Sequence, residues 1–142
     1  MSYVDRGFRL AKNILEFSDY IPQRIGAVIM HKHRPVAVGY NIQKTNPLQQ
    51  KYNIYRNFTK TNGKMIYHRL HAEAMAMINL KKLGIPADEC EIFVYREYRD
   101  GTASLAKPCA ACMELLKENK IKKIYYSISD DEYGVIGKLN ED

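Results

Sequence analysis

Four side chains in this chain of 142 residues have the types and spacing for metal chemistry. His71 is followed two positions on by Glu73, and Cys109 and Cys112 form a C-x-x-C pair behind Pro108. Imidazole nitrogen and thiolate sulfur are ligands that Zn²⁺ takes in tetrahedral geometry. A catalytic zinc uses three protein ligands and leaves one position for water. Cysteines three apart at a helix start share a face, and the partial positive charge there favours thiolates. His71 opens a second helix-like run, HAEAMAMINL. If the two helix starts meet, His71, Cys109 and Cys112 converge on one Zn²⁺ per chain. Glu73 then stands beside the ion without being needed as a ligand. It is placed to take a proton from an activated water and deliver it elsewhere.

Each motif alone is weak. A C-x-x-C is equally a redox pair, and a histidine and a glutamate at a helix start can simply cap it. A redox pair, however, leaves His71 and Glu73 unexplained. A structural zinc site would call for a fourth ligand, from Cys90, His68, His31 or His33. Cys90 precedes a strand at the far end from the site and reads as a buried thiol. His68 reads as a histidine of the loop leading to the site, on the surface or lining the pocket. Three cysteines, an odd number, behind an N-terminus without a basic segment and apolar run argue against a disulfide framework.

The elements that must position these residues are legible in outline. Val4, Phe8, Ala11 and Leu15 recur at helical spacing, which predicts an amphipathic helix over residues 2–18. Arg24–Met30 and Pro35–Asn41 read as a β-hairpin around His31-Lys32-His33-Arg34. Residues 42–69 read as a long polar loop on the pocket side, too long for a mere connection. A helix follows near 71–83, with Gly84 where a cap belongs and Pro86 after it. Its Met75 and Met77 read as packing residues. EIFVYR (Glu91–Arg96) reads as a strand, Tyr98–Ala106 as a loop, Cys109–Asn119 as a helix entered at Pro108, and KIYYSIS (Lys123–Ser129) as the next strand. The tail, 130–142, is polar, irregular or holding one short element. The order α-β-β-α-β-α-β predicts one domain over 1–142. It is an α/β fold with a mixed central sheet, helices on both faces, and a parallel pair across 91–129.

Composition narrows the classes further. With 46% hydrophobic and 27% charged residues, a packed core is within reach. No apolar run approaches bilayer-spanning length and no secretory signal is visible, so the expectation is a cytoplasmic protein without a membrane partner. Net charge +6 and a pI of about 9.2 favour phosphate-bearing partners, nucleotide or nucleic acid, or simply a solvated basic surface. Lys51, Arg56, Lys60, Lys64 and Arg69 are phosphate-binding candidates on the same two readings. The 11 tyrosines could stack on bases, though core packing accounts for most of them.

His71-Ala72-Glu73 and Pro108-Cys109-Ala110-Ala111-Cys112, in this order and with a strand between them, are together specific. On these motifs the chain resembles the zinc-dependent cytidine/deoxycytidylate deaminase superfamily, from the first helix to the strand ending near Ser129. The resemblance implies a three-layer α/β/α fold and a zinc held by His71, Cys109 and Cys112. It implies that metal-bound hydroxide attacks C4 of cytosine, or C6 of adenine, while Glu73 shuttles protons to the ring nitrogen and the departing amine. It places the Ala72 N–H near the base. Gly39-Tyr40-Asn41 is similar to the family's G-x-N segment, which implies substrate binding by Asn41, although glycine and asparagine at a strand end are also an ordinary turn signal.

The resemblance is strongest to the deoxycytidylate deaminase group, a hydrolytic dCMP-to-dUMP activity on a small-molecule nucleotide, in a homo-oligomer whose subunits complete one another's pockets. Two alternatives stay open. One is a deaminase acting on cytosine or adenine within single-stranded RNA, DNA or tRNA. The other is a non-catalytic, zinc-stabilised binding module. Leu105-Ala106-Lys107 departs from the threonine- and glutamate-containing lead of many relatives. That departure bears on substrate identity.

Overall fold

The structure, a computed structural model, describes residues 1–55 and 69–137. Expectations for Arg56, Phe58, Lys60, Gly63, Lys64, Tyr67 and His68, and for 138–142, lie outside the described residues. The first helix, α1, spans Tyr3–Ile14 and runs into a 3-10 turn at Leu15–Phe17. Ser2 caps it, its Oγ accepting from Asp5 N at 3.1 Å. Strands β1 (Gln23–His31) and β2 (Arg34–Tyr40) form the predicted hairpin. Its tip, Lys32-His33, holds both residues at positive φ, 51° and 65°, as a type I′ hairpin turn requires.

Within the stretch read as a loop, Pro47–Tyr52 forms a short helix, α2, followed by a 3-10 turn at Asn53–Tyr55. This corrects part of the 42–69 expectation, and the reason is local. Asn46 caps the helix, its Oδ1 accepting from Leu48 N at 2.8 Å, and Pro47 stands where its missing N–H is not needed. Helix α3 spans Ala72–Leu83 and ends at Gly84, whose φ of 71° terminates it in the left-handed region. Strand β3 is Cys90–Tyr98, β4 is Ala103–Ser104, α4 is Ala110–Glu118, β5 is Lys123–Ser127 and β6 is Tyr133–Gly137. Both β4 and β6 add to the expected order. The two-residue β4 is too short to give a periodic signal. In β6 the burial alternates between half-buried and exposed, so its apolar pattern is faint.

The sheet runs β2-β1-β3-β5-β6, with β4 also on β3. Among the described residues only β3 and β5 pair in parallel, Ile92 with Ile124 and Phe93 with Tyr125, and α4 joins them. Alternation along the central strands gives each face its own core. Val28, Met30, Phe93 and Tyr125 pack under α1, where the Phe93 and Tyr125 rings stack at 4.4 Å. Ala27, Ile29, Ile92, Val94 and Ile124 face Ala76, Met77 and Leu80 of α3 and Leu115 of α4. The result is helix, sheet, helix in three layers, as expected. No helix among the described residues is long and apolar enough to cross a membrane.

Candidate metal centre and active site

Helices α3 and α4 both begin on a residue whose side chain does not cap its own helix. His71 is the N-cap of α3 and Cys109 the N-cap of α4. Both have extended backbones, with ψ of 157° and 170°, and neither side chain bonds its helix. They turn towards each other instead. His71 Nδ1 lies 3.6 Å from Cys109 Sγ and 3.4 Å from Cys112 Sγ, and the three atoms all lie within 4.8 Å of one another. Tetrahedral zinc with ordinary Zn–N and Zn–S bonds sets nitrogen and sulfur about 3.6 Å apart. One imidazole nitrogen and two sulfurs at this spacing fit the ion, as three protein ligands where tetrahedral zinc takes four. Among the described residues this is the one group of histidine, cysteine or carboxylate side chains gathered closely enough to hold a metal.

Backbone contacts fix where these helices start. The chain leaving β2 and the chain entering α3 run side by side, with Ile42 N donating to Leu70 O at 3.0 Å and Leu70 N to Lys44 O at 3.1 Å. The lead into α4 is pinned to the end of β5 by Ala106 N, which donates to Ser127 O at 2.8 Å. Ser127 is itself a junction: its Oγ accepts from Arg96 N at 3.1 Å and donates to Ser104 O at 2.8 Å. It thereby joins β3, β4 and β5 below the C-x-x-C.

The electrostatics suit these residue types. The Cys112 side chain beside Cys109, and then His71, hold the Cys109 thiol down at about 3 against the opposing effect of burial, so it is a thiolate at neutral pH. Glu73, in the first turn of α3, is 5% exposed. Burial pushes its carboxyl up to about 7, and His71 beside it pulls the other way. A carboxyl in that range can both accept and release a proton near neutral pH, as a general acid–base requires. Arg96, two residues beyond Val94 on β3, is a positive charge that also draws the Glu73 carboxyl down.

The remaining sequence-read residues divide. Ala72 is fully buried at the first position of α3. Asn41 lies one residue before the segment beside Leu70. Its amide is engaged with β1, Oδ1 accepting from Ile25 N and Nδ2 donating to Gln23 O, each at 2.9 Å. Cys90 is buried with its Sγ 3.4 Å from Pro86 O. His31 pairs with Glu89 at 3.0 Å, and His33 stacks on Tyr3. None of these three joins the centre. Met77 is core and Met75 is packed against it. Lys51 lies over the Tyr52 ring and Arg69 over the Tyr20 ring. Sequence reasoning missed Gln49 and Ser127. Each is a single polar residue whose partners are remote in sequence, so no local pattern marks it.

The comparisons with known proteins agree with this geometry. A 1.6 Å structure of cytidine deaminase from Burkholderia pseudomallei superimposes with a TM-score of 0.66 at 17% identity, covering 96% of this chain and 93% of that one. The apo dCMP deaminase of cyanophage S-TIM5 gives 0.57 at 18% identity, covering 90% and 84%. The same enzyme in complex with dCMP and dUMP gives 0.52 at 20%, covering 87% and 76%. At such identities these likenesses establish the fold. No protein in a search of curated sequences matches the chain. The model of the cytidine and deoxycytidylate deaminase zinc-binding region matches residues 1–128. Read with the His/Cys/Cys group, that match means the chain belongs to the zinc-dependent cytidine and deoxycytidylate deaminase family, a family of hydrolytic deaminases, with one zinc per chain.

Proposed function

We propose that this protein hydrolytically deaminates a cytosine-bearing nucleotide of the dCMP type, releasing ammonia and leaving a uracil ring. One observation carries the reading: a buried carboxyl, Glu73, poised near neutral pH, stands two residues from one of three side chains spaced as zinc ligands. His71 Nδ1, Cys109 Sγ and Cys112 Sγ would hold the ion. Zinc, when bound, lowers the pKa of a water to about 7 and so supplies a nucleophile at neutral pH. Glu73 takes a proton from the attacking water and gives it to the ring nitrogen beside C4, then takes the second from the hydroxyl now on C4 and gives it to the departing amine, which leaves the carboxylate as it began. Burial keeps bulk water from competing for those protons. Ala72 offers the base a backbone N–H that its own helix does not use. Asn41 would contact the substrate as well, while its amide braces the end of β2 against β1.

The basic balance and the likeness to a dCMP deaminase support the nucleotide over the nucleoside. The higher TM-score to a cytidine deaminase makes the nucleoside the reading to test beside it. The test is ammonia release by zinc-loaded protein from dCMP, deoxycytidine, a cytosine-containing single-stranded oligonucleotide and an adenosine-containing RNA hairpin. Each assay is run beside Glu73→Ala. Turnover of dCMP, abolished in the variant, is expected. Turnover of a polymer alone would overturn the substrate. No ammonia from any substrate by zinc-replete protein would overturn the activity.

A further inference from the structure

The first turn of α3 lacks the usual means of capping itself. An N-cap side chain ordinarily accepts from a backbone N–H in the first turn, and a side chain at N3 can return the favour to the N-cap's own N–H. Here the N-cap is His71, whose imidazole faces two cysteine sulfurs, and N3 is Ala74, which has no acceptor. The missing acceptor comes from outside the helix. Gln49 Oε1, on α2, accepts from His71 N at 3.0 Å. Gln49 is 1% exposed, and its Nε2 donates to Asn53 Oδ1 at 2.8 Å, which holds the amide with its oxygen towards His71. The same short helix reaches α4, where Tyr52 Oη donates to Glu118 Oε2 at 2.5 Å. Helix α2 therefore braces both helices whose starts meet at the metal centre.

Resting on the reading of His71 as a zinc ligand, we propose that Gln49 is a positioning residue of the zinc centre. It fixes the His71 backbone so that Nδ1 stays against Cys109 and Cys112. Nδ1 is the ring nitrogen nearer the backbone, and two torsions separate it from Cα. A displacement of the backbone therefore moves the ligand atom by nearly the same amount. Removing the acceptor also leaves a half-buried donor unsatisfied, which favours a shift of the chain towards water. Partners that orient a ligand in this way are commonly worth about 10–100-fold in metal affinity.

The experiment measures zinc affinity by chelator competition in the full-length protein and in Gln49→Leu, Gln49→Glu, Asn53→Ala and His71→Ala. Circular dichroism checks folding, and the absorption bands of the Co²⁺-loaded proteins report ligand geometry. Leucine keeps the bulk without an acceptor, whereas glutamate keeps an oxygen facing the His71 N–H. Gln49→Leu is expected to bind zinc about 10–100-fold more weakly and to shift the Co²⁺ bands. Gln49→Glu keeps the acceptor but sets its second oxygen against Asn53 Oδ1 in place of the Nε2 donor, so it is expected to recover part of both. Zinc affinity equal to wild type in folded Gln49→Leu overturns the proposal, as does equal weakening by leucine and glutamate. Should the leucine variant not fold, Asn53→Ala decides: released to rotate, the Gln49 amide should lose part of the affinity, and no loss overturns the proposal. Unchanged affinity in His71→Ala would instead overturn the ligand reading beneath it.

Discussion

The backbone carbonyl of Ala72 occupies the space into which a Cβ on Gly39 would project. Strand β2 thus passes the first turn of α3 at a distance only glycine permits, and Ala76 N lies 2.5 Å from the same point. That turn carries His71 and Glu73. Gly39→Ala must push strand and turn apart, against backbone atoms that cannot swing away. It is expected to destabilise the protein by about 1–3 kcal/mol in urea unfolding and to weaken zinc binding. Gly137→Ala is the control, since its added carbon would meet nothing nearer than 3.8 Å. Equal effects of the two changes would show that the close approach does not govern the site.

Glu73→Gln should separate the proton carrier from the metal ligands. The amide keeps the size of the side chain and its place in the core but cannot exchange a proton near neutral pH. Turnover is expected to fall by about 10²–10⁴-fold with zinc content unchanged. Stability should not drop, because a carboxyl that burial pushes to about 7 is replaced by a group that stays neutral. Loss of zinc along with turnover would mean that Glu73 serves as a ligand.

Zinc removal should loosen the junction of α3 and α4. Without the ion, the imidazole nitrogen faces the two sulfurs at 3.4 and 3.6 Å with no cation between them. The metal binds the folded arrangement in preference to the unfolded chain, so its free energy of binding adds to that of folding. A calorimetric scan should show Tm falling on chelation and returning with added Zn²⁺. Cys112→Ser should reproduce most of that fall even in excess metal. An unchanged Tm on chelation would argue that the folded chain holds no zinc in preference to the unfolded one.

The layers and the metal centre were legible in the sequence for a physical reason. Zinc chemistry needs specific residue types at specific helix starts, and the helices and hairpin that carry them are long enough to show periodicity. Asn46-Pro47 does read as a helix start in hindsight, yet the helix it opens is too short to establish an apolar face. Strand β4 is shorter still. The hidden part is tertiary: Gln49 meets His71 and Ser127 meets Ser104 only after folding. Asn41 shows the opposite limit. Its motif was visible, but the engagement of its amide with the β1 backbone was not.

Alkaline pH should destabilise the fold through groups that stay protonated inside it. Burial pushes the Cys90 thiol from 9.0 up to about 11, and burial followed by the hydrogen bond to Glu118 pushes Tyr52 from 10.0 up to about 12. Raised folded-state values mean that the contribution is complete below the unfolded values and is lost as pH rises through the folded ones. Urea midpoints should therefore hold to about pH 9 and decline above it. Cys90→Ala should flatten the decline between about 9 and 11. An identical slope in that variant would assign the effect to other groups.

Asn41 offers a way to tell support of the strand from contact with substrate. Its amide spans β1, accepting from Ile25 N and donating to Gln23 O, where β2 has ended and the chain turns towards Leu70. Asn41→Ala removes both bonds and leaves a half-buried N–H and C=O to find water. That should lower stability by about 1–3 kcal/mol. Asn41→Asp keeps the acceptor for Ile25 N but sets a carboxylate oxygen against Gln23 O. If the residue only braces the strand, stability and kcat/KM should decline in parallel across the two variants, and zinc affinity should follow. If it also meets the substrate, KM should rise in the aspartate variant well beyond what its stability loss accounts for, and the rise should be larger for a nucleotide than for a nucleoside because the added charge repels phosphate. Unfolding curves and steady-state kinetics on the same preparations decide between the two.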